Sequence, residues 1–230
     1  MDNLLSYVQC ESVFIEANNG LVTALATLVI AWFTVTLARS TIGLERLASD
    51  QGRAAIARER AFVFPMDVRP IPQIDAGTGK VVGWLLAVVW KNSGMTPTRN
   101  MYARVSIKPF PATLPDDFDF PDIGGGENVR LLVGPGAEIE SSPLRIHDDV
   151  ILVLAGKSDV ARLYMWGWAE YNDIYEGTPR HRTEFCYEWS ITGDVTNYER
   201  LSFRYTLHRK HNGADDECPR PLKTTGKEAI

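Results

Sequence analysis

Hydrophobic and polar positions divide this chain into regimes of different period. Between residues 21 and 38 no side chain is charged, and apart from four threonines every position is apolar. At about 1.5 Å of rise per residue a helix of that length covers roughly 27 Å, close to the ~30 Å hydrocarbon layer of a bilayer. The pattern predicts a transmembrane helix over 21–38, which uncharged residues 17–20 can lengthen. Residues 39–60 lack proline and are rich in Ala, Leu, Arg and Glu, so the helix is expected to continue as a stalk. Leu37, Leu44, Leu47, Ala48, Ala54 and Ala55 recur at helical spacing, but Gly52 and the small residues make a thin stripe for a coiled coil.

From residue 61 the period becomes two and turn residues punctuate the chain, which is an all-β signature. Phe62, Phe64, Met66 and Val68 are expected on one face of a first strand, and the run 81–90 is apolar on both faces, as in the middle of a sheet. The segment Asn92-Ser93-Gly94-Met95-Thr96-Pro97 reads as a turn with a positive-φ residue followed by a proline that stops pairing. Ala103, Val105 and Ile107 are then expected inward, with Arg104, Ser106 and Lys108 outward. Residues 109–128, dense in Pro, Asp and Gly, read as a long surface loop, followed by strands near 129–133 and 137–141 and a short crossing helix at 148–155. A long aromatic strand at 162–171, a turn at 172–179 and a strand at 181–191 form the clearest hairpin, and a last strand is expected near 201–207.

The predicted fold is therefore mainly β: an immunoglobulin- or fibronectin-like β-sandwich over 61–207, preceded by a transmembrane helix and a helical stalk. An acidic leader, 1–20, and a polar tail, 208–230, flank these parts. Charge sets the expected orientation. The leader carries −3 with no Lys or Arg, whereas 39–60 carries +2 through Arg39, Arg46, Arg53, Arg58 and Arg60. Basic flanks stay in the cytoplasm, so the N-terminus is expected outside and the β-domain inside, at the inner membrane. A cleaved signal peptide is the competing reading, because Thr36 and Ala38 loosely fit a small-x-small site, but the leader lacks the basic n-region. Three cysteines (Cys10, Cys186, Cys218) are no disulfide framework, although a Cys186–Cys218 bridge in a periplasmic domain stays open.

Of the net −5, −4 falls on residues 61–230. An acidic domain is a poor match to nucleic acid, whose affinity rests on neutralising phosphates. Within the span, Thr23, Thr27, Ala31, Thr34 and Ala38 put small residues on one helical face, which suggests a homo-oligomer through close helix packing.

The hairpin carries a resemblance. Tyr171-Asn172-Asp173-Ile174-Tyr175-Glu176-Gly177, with His181-Arg182-Thr183-Glu184-Phe185-Cys186, resembles uncharacterised bacterial single-pass membrane proteins in which a Tyr-x-Asp-x-aromatic-Gly turn precedes a Thr-x-Phe-Cys strand. The 92–97 turn and the order of span, stalk and β-domain are similar too. Here Glu176 separates Tyr175 from Gly177, where the pattern has the glycine directly. The resemblance implies the architecture and the anchoring, and implies no activity.

Three polar constellations remain. Asp173 with His181, Arg182 and Glu184 offers an acid–base pair with no nucleophile beside it, so it reads as a turn cap or a contact for a ligand or partner. Asp116, Asp117, Asp119 and Asp122 offer hard oxygens without the spacing of a calcium loop, and His208, His211 and Cys218 are one ligand short of a zinc set. Tyr164, Trp166 and Trp168 share a strand face, with Met165, Gly167 and Ala169 on the other. That aromatic face is either a contact surface or a core face. No catalytic, cofactor or metal site is assigned. The residues singled out for partner contact are Asp173, Tyr175, His181, Arg182, Trp166 and Trp168, in a binding or scaffolding module. A periplasmic envelope domain is the alternative, and an enzyme ranks last.

Overall fold

The computed structural model describes residues 19–124, 129–146, 150–151, 162–194 and 197–218. Residues 1–18 of the leader, most of the helix expected at 148–155 and residues 219–230 lie outside these. The chain divides into a unit ending at Ala55 and a β unit beginning at Ile56. The helix α1, Asn19–Glu59, contains the apolar stretch and is long and apolar enough to cross a membrane, with the side chains of that stretch exposed. Thr27 and Thr34 donate their hydroxyls to the carbonyls of Thr23 and Ile30, each at 2.8 Å. These protons are committed within the helix, so contact along the Thr/Ala face would rest on packing of small side chains.

Among the described residues of the β unit strand outweighs helix by a wide margin, and nine strands form two antiparallel sheets. One holds β1 (Val63–Ile74), β2 (Val81–Asn92), β4 (Glu138–Glu140) and β5 (Leu144–Ile146), with β4 and β5 both on the far side of β2. The other holds β3 (Arg99–Phe110), β6 (Arg162–Asn172), β7 (His181–Thr192), β8 (Ser202–Leu207) and β9 (Gly213–Ala214), with β8 and β9 both along β7. The central place of β2 explains its burial on both faces. One core joins the sheets: Leu86, Val88 and Trp90 from β2 meet Met165 from β6 and Phe185, Tyr187 and Trp189 from β7.

Four local expectations are corrected. The register of β1 against β2 shifts between Pro65 and Asp67. A one-residue bulge inverts which side chains face the core, so Ala61, Val63 and Val68 are buried while Phe62 and Met66 are 36% and 37% exposed. Gly94 does not take a positive φ. It is needed for close approach, since an added Cβ would overlap the carbonyl oxygen of Arg60. Ser106 points outward, on the face it shares with Trp166, but is buried there rather than exposed, because its Oγ receives the N–H groups of Ile123 and Gly124 at 3.1 and 3.2 Å. Around 129–133 there is only a bridge between Leu131 and Met101, where the expected strand would be.

The edges of the first sheet are blunted in different ways. Pro65, Pro70 and Pro72 remove donors from edge strand β1. Outside the β2–β4 pair, Arg69 and Lys91 form ion pairs with Glu138 at 3.9 and 3.1 Å, and Arg69 also reaches Glu140.

Candidate functional site

The register of the β6–β7 hairpin decides which polar groups meet. Trp166 pairs with Cys186, Trp168 with Glu184, and Glu170 with Arg182. All six point away from the core shared by the two sheets. Met165 and Ala169 face that core instead, so the aromatic side of β6 is the outer side of its sheet.

That outer side is covered by the chain itself. The 109–124 part of the expected surface loop folds back, and Leu114 and Phe120 form a second apolar cluster with Tyr164, Trp166 and Cys186, flanked by Phe110 and Phe118. Phe118 meets Trp166 edge-on at 5.2 Å. Trp166 and Trp168 donate their indole N–H groups to Pro121 O at 2.9 Å and Asp122 Oδ1 at 2.8 Å. Trp166 is left 1% and Trp168 8% exposed. Neither alternative for the aromatic face holds: it is no open contact surface, and it does not face the main core. The loop was legible as a loop, but its three phenylalanines were the signal that it needed a surface to bury.

The expected polar tail is also corrected over its described part. Residues 208–218 run as a strap along β7: His208 N donates to Cys186 O at 2.8 Å, Cys186 N to Asn212 Oδ1 at 2.9 Å, and β9 pairs with Thr183 and Glu184. His211 and Asp215 hold positive φ, and His211 stacks on Phe120 with ring centroids 4.3 Å apart.

Two linked groups of charges lie under the strap. In the first, His181 Nε2 is 3.1 Å from Asp173 Oδ2, and its Nδ1 is 3.2 Å from both Asp215 oxygens. Arg60 Nη1 reaches Asp215 Oδ2 at 2.6 Å and lies 2.7 Å from His181 Nδ1. Asp173 also caps its own turn, as expected, by accepting from Tyr175 N at 2.9 Å and the Thr178 hydroxyl at 2.6 Å. Tyr175 is half-buried and donates its hydroxyl to Glu59 at 3.0 Å. In the second group Arg182 bridges Glu184, at 2.6 Å, and Glu170, while its guanidinium lies 4.6 Å from the centroid of the Trp168 ring. Glu184 continues to His211 Nδ1 at 3.1 Å, and Glu170 to Arg180 Nε at 3.2 Å.

Burial disfavours a charged His181, and so does Arg60, but the hydrogen bonds of Asp215 and Asp173 outweigh them and hold its pKa above the ordinary value. Burial likewise opposes the Asp215 carboxylate, yet the bonds from His181, Arg60 and the Arg182 N–H bring its pKa down to about 2. Glu184 is lowered against burial by His211 and Arg182. The arrangement is a set of buried and half-buried ion pairs in which carboxylates take both His181 nitrogens.

Of the six residues singled out for contact, Asp173, His181, Arg182, Trp166 and Trp168 are buried and Tyr175 alone is partly open. Cys186 and Cys218 are free thiols, each pushed up to about 12 by burial. His208, His211 and Cys218 do not converge: His208 lies edge-on to Tyr164, His211 pairs with Glu184, and Cys218 Sγ contacts Arg182 O at 3.7 Å. Among the described residues no group of three or more His, Cys, Asp or Glu side chains is placed to hold a metal ion. The participants not anticipated are Arg60, Glu170, Arg180, His211 in its role toward Glu184, and Asp215. Only Glu170 had a visible signal, since the hairpin spacing sets it opposite Arg182. No protein-family model, curated protein or solved structure matches the chain.

Proposed function

We propose that this protein is a single-pass membrane protein whose immunoglobulin- or fibronectin-like β-sandwich acts as a non-catalytic binding or scaffolding module at the cytoplasmic face of the inner membrane. The observation that carries this reading is α1, whose 21–38 stretch is uncharged, apolar and uncovered by the protein. In water so many exposed apolar side chains would be costly, and a bilayer is the solvent that removes the cost. The orientation rests on the arginines after the span and their absence from residues 1–20.

The binding role is supported by the closed state of the charged cluster. Glu170, Asp173, His181, Arg182, Glu184 and His211 are buried, Arg60, Arg180 and Asp215 are half-buried, and they pair with one another, which suits a device that fixes loops in place. What it holds up for a partner is the β6–β7 turn, where Tyr175 is half-buried and Ile174, Glu176 and Gly177 are exposed. A second copy of the chain is the proposed neighbour of the Thr23, Thr27, Ala31, Thr34 and Ala38 face.

The test is a pair of C-terminal fusions in a bacterial host, one to alkaline phosphatase and one to green fluorescent protein, with carbonate extraction of the membranes. Fluorescence without phosphatase activity, in the carbonate-resistant fraction, is the expected result. Phosphatase activity would move the domain to the periplasm, and release by carbonate would remove the membrane anchor from the reading.

A further inference from the structure

The sheet edges of the β unit are guarded against pairing by different devices, with one exception. Prolines interrupt β1, and β4 and β5 are only three residues long each. Along β3 the chain passes so close that an added Cβ at Gly124 would overlap Val105 O, Met101 bridges to Leu131, and Arg180 Nη2 donates to Asn100 O at 3.0 Å. The exception is β8, which ends the order β3-β6-β7-β8. It has six residues, no proline and a single charge, Arg204, and among the described residues no strand lies on its outer side.

The ladder fixes which backbone groups of β8 point outward. His208 N donates to Cys186 O at 2.8 Å, continuing the register that sets Leu207 against Tyr187 and Thr206 against Glu188. Backbone groups along an antiparallel strand alternate between its two sides. Ser202, Arg204 and Thr206 therefore bond to β7, and the N–H and C=O groups of Phe203, Tyr205 and Leu207 face the open edge. The strand is held firmly from within. Phe203 packs on Trp84 with ring centroids 4.6 Å apart, and Tyr205 donates its hydroxyl to Asp67 Oδ1 at 2.9 Å.

We propose that this edge pairs with the same edge of a second copy of the chain, antiparallel, about a two-fold axis at Tyr205. Two symmetric registers overlap most of β8, one centred on Arg204 and one on Tyr205. The first sets the two Arg204 residues opposite each other with Cα atoms about 4.5 Å apart, where like charges are destabilising. The second joins each outward N–H of Phe203, Tyr205 and Leu207 to a carbonyl of Leu207, Tyr205 or Phe203 in the other copy. On the inner side of the sheet it sets Phe203 against Leu207, which is 67% exposed in a single copy. On the outer side it sets Arg204 against Thr206, beyond which Glu188 lies on the neighbouring strand, so a cation faces a carboxylate. The contact is isologous and closes on itself. A strand pair of this length is small beside a stable soluble interface, so the pairing is expected among copies that share one bilayer, where effective concentration is high. In that respect alone the inference rests on the proposed anchoring.

The test is disulfide cross-linking of the full chain in carbonate-washed membranes of a bacterial host, in a Cys10→Ser background. Arg204→Cys and Thr206→Cys, both at exposed positions, are placed on two co-expressed copies that differ in tag length. Opposite Cα atoms about 4.5 Å apart suit a disulfide, so mild oxidation should give a mixed dimer. Either variant alone should give roughly tenfold less, because like positions are then diagonal neighbours roughly 7–8 Å apart, at or beyond the reach of a disulfide. Leu207→Pro removes an outward N–H that β7 does not use, and should return the mixed dimer to the level of the single variants while tryptophan emission shows the fold intact. A cross-link formed mainly by Arg204→Cys alone, none in the mixed pair, or one that survives Leu207→Pro would each overturn the proposal. A dimer held by the span alone gives the second of these results. Release of the protein by carbonate removes the anchoring instead, and the same oxidation of the released, concentrated protein then decides the pairing.

Discussion

Arg60 and Asp215 stand 155 positions apart in the chain and 2.6 Å apart in space. Arg60 directly follows α1, Asp215 belongs to the strap behind β9, and His181 at the head of β7 touches both. The contact closes the β unit end to end. Asp215→Asn removes the charge that Arg60 and His181 share and should raise amide hydrogen exchange over 208–218 well before the β6–β7 hairpin loses protection. Uniform loss of protection across the unit would show that the strap has no separate stability.

His181 makes this closure pH-dependent. Its folded pKa is raised, so its contribution is fully present below the ordinary value of 6.5 and is lost as the pH rises through the higher folded value. Asp215 works in the opposite sense: its contribution is present above 3.8 and fades as the pH falls toward about 2. Urea unfolding of the full-length protein across this range should show stability declining on the alkaline side, and His181→Gln should flatten that decline. An unchanged slope in the variant would assign the decline to another group.

Arg182 holds two buried carboxylates. Arg182→Met leaves Glu170 and Glu184 without their shared cation and is expected to destabilise the β unit by about 3–5 kcal/mol. The triple change Glu170→Leu, Arg182→Met, Glu184→Leu removes these three charges together and should recover part of that loss, the remainder reflecting Arg180 and His211, which lose Glu170 and Glu184. Denaturation midpoints of the single and triple variants decide it.

Phe120 is the loop's buried anchor, stacked on His211 and packed against Trp166. Phe120→Ala is expected to cost about 3–5 kcal/mol and to open the aromatic face of β6, detectable as a red shift of tryptophan emission under native conditions. Loss of stability without the spectral shift would mean that the loop stays seated without its anchor.

Gly94 is constrained by space. Gly94→Ala drives a methyl group into the backbone from Arg60 to Phe62, and a cost of roughly 1–3 kcal/mol is expected from the forced backbone shift. Thermal unfolding measures it, with Gly134→Ala, where an added Cβ meets nothing within 4 Å, as the control.

Strands set by local pattern were readable in detail. The β6–β7 hairpin and β2 announce themselves because alternation and burial on both faces are properties of a strand and its immediate neighbours. The bulge in β1 escaped the same reasoning, since alternation assumes that every residue has a partner and the shift at Pro65 appears only when β1 is laid against β2. The charged cluster was half readable: Asp173, His181, Arg182 and Glu184 stand together in one hairpin, whereas Arg60, His211 and Asp215 reach it from distant segments.

The sequence by itself determined a membrane-length apolar helix and a mainly β unit, because both are written in the period and length of hydrophobic runs. Tertiary structure alone decided that the aromatic face is covered by its own loop, that residues 208–218 form a strap, and that Asp173, His181 and Arg182 are buried in ion pairs. The reason is physical: period tells which side of an element a residue occupies, but what covers that side depends on long-range docking of loops whose local sequence carries only polarity.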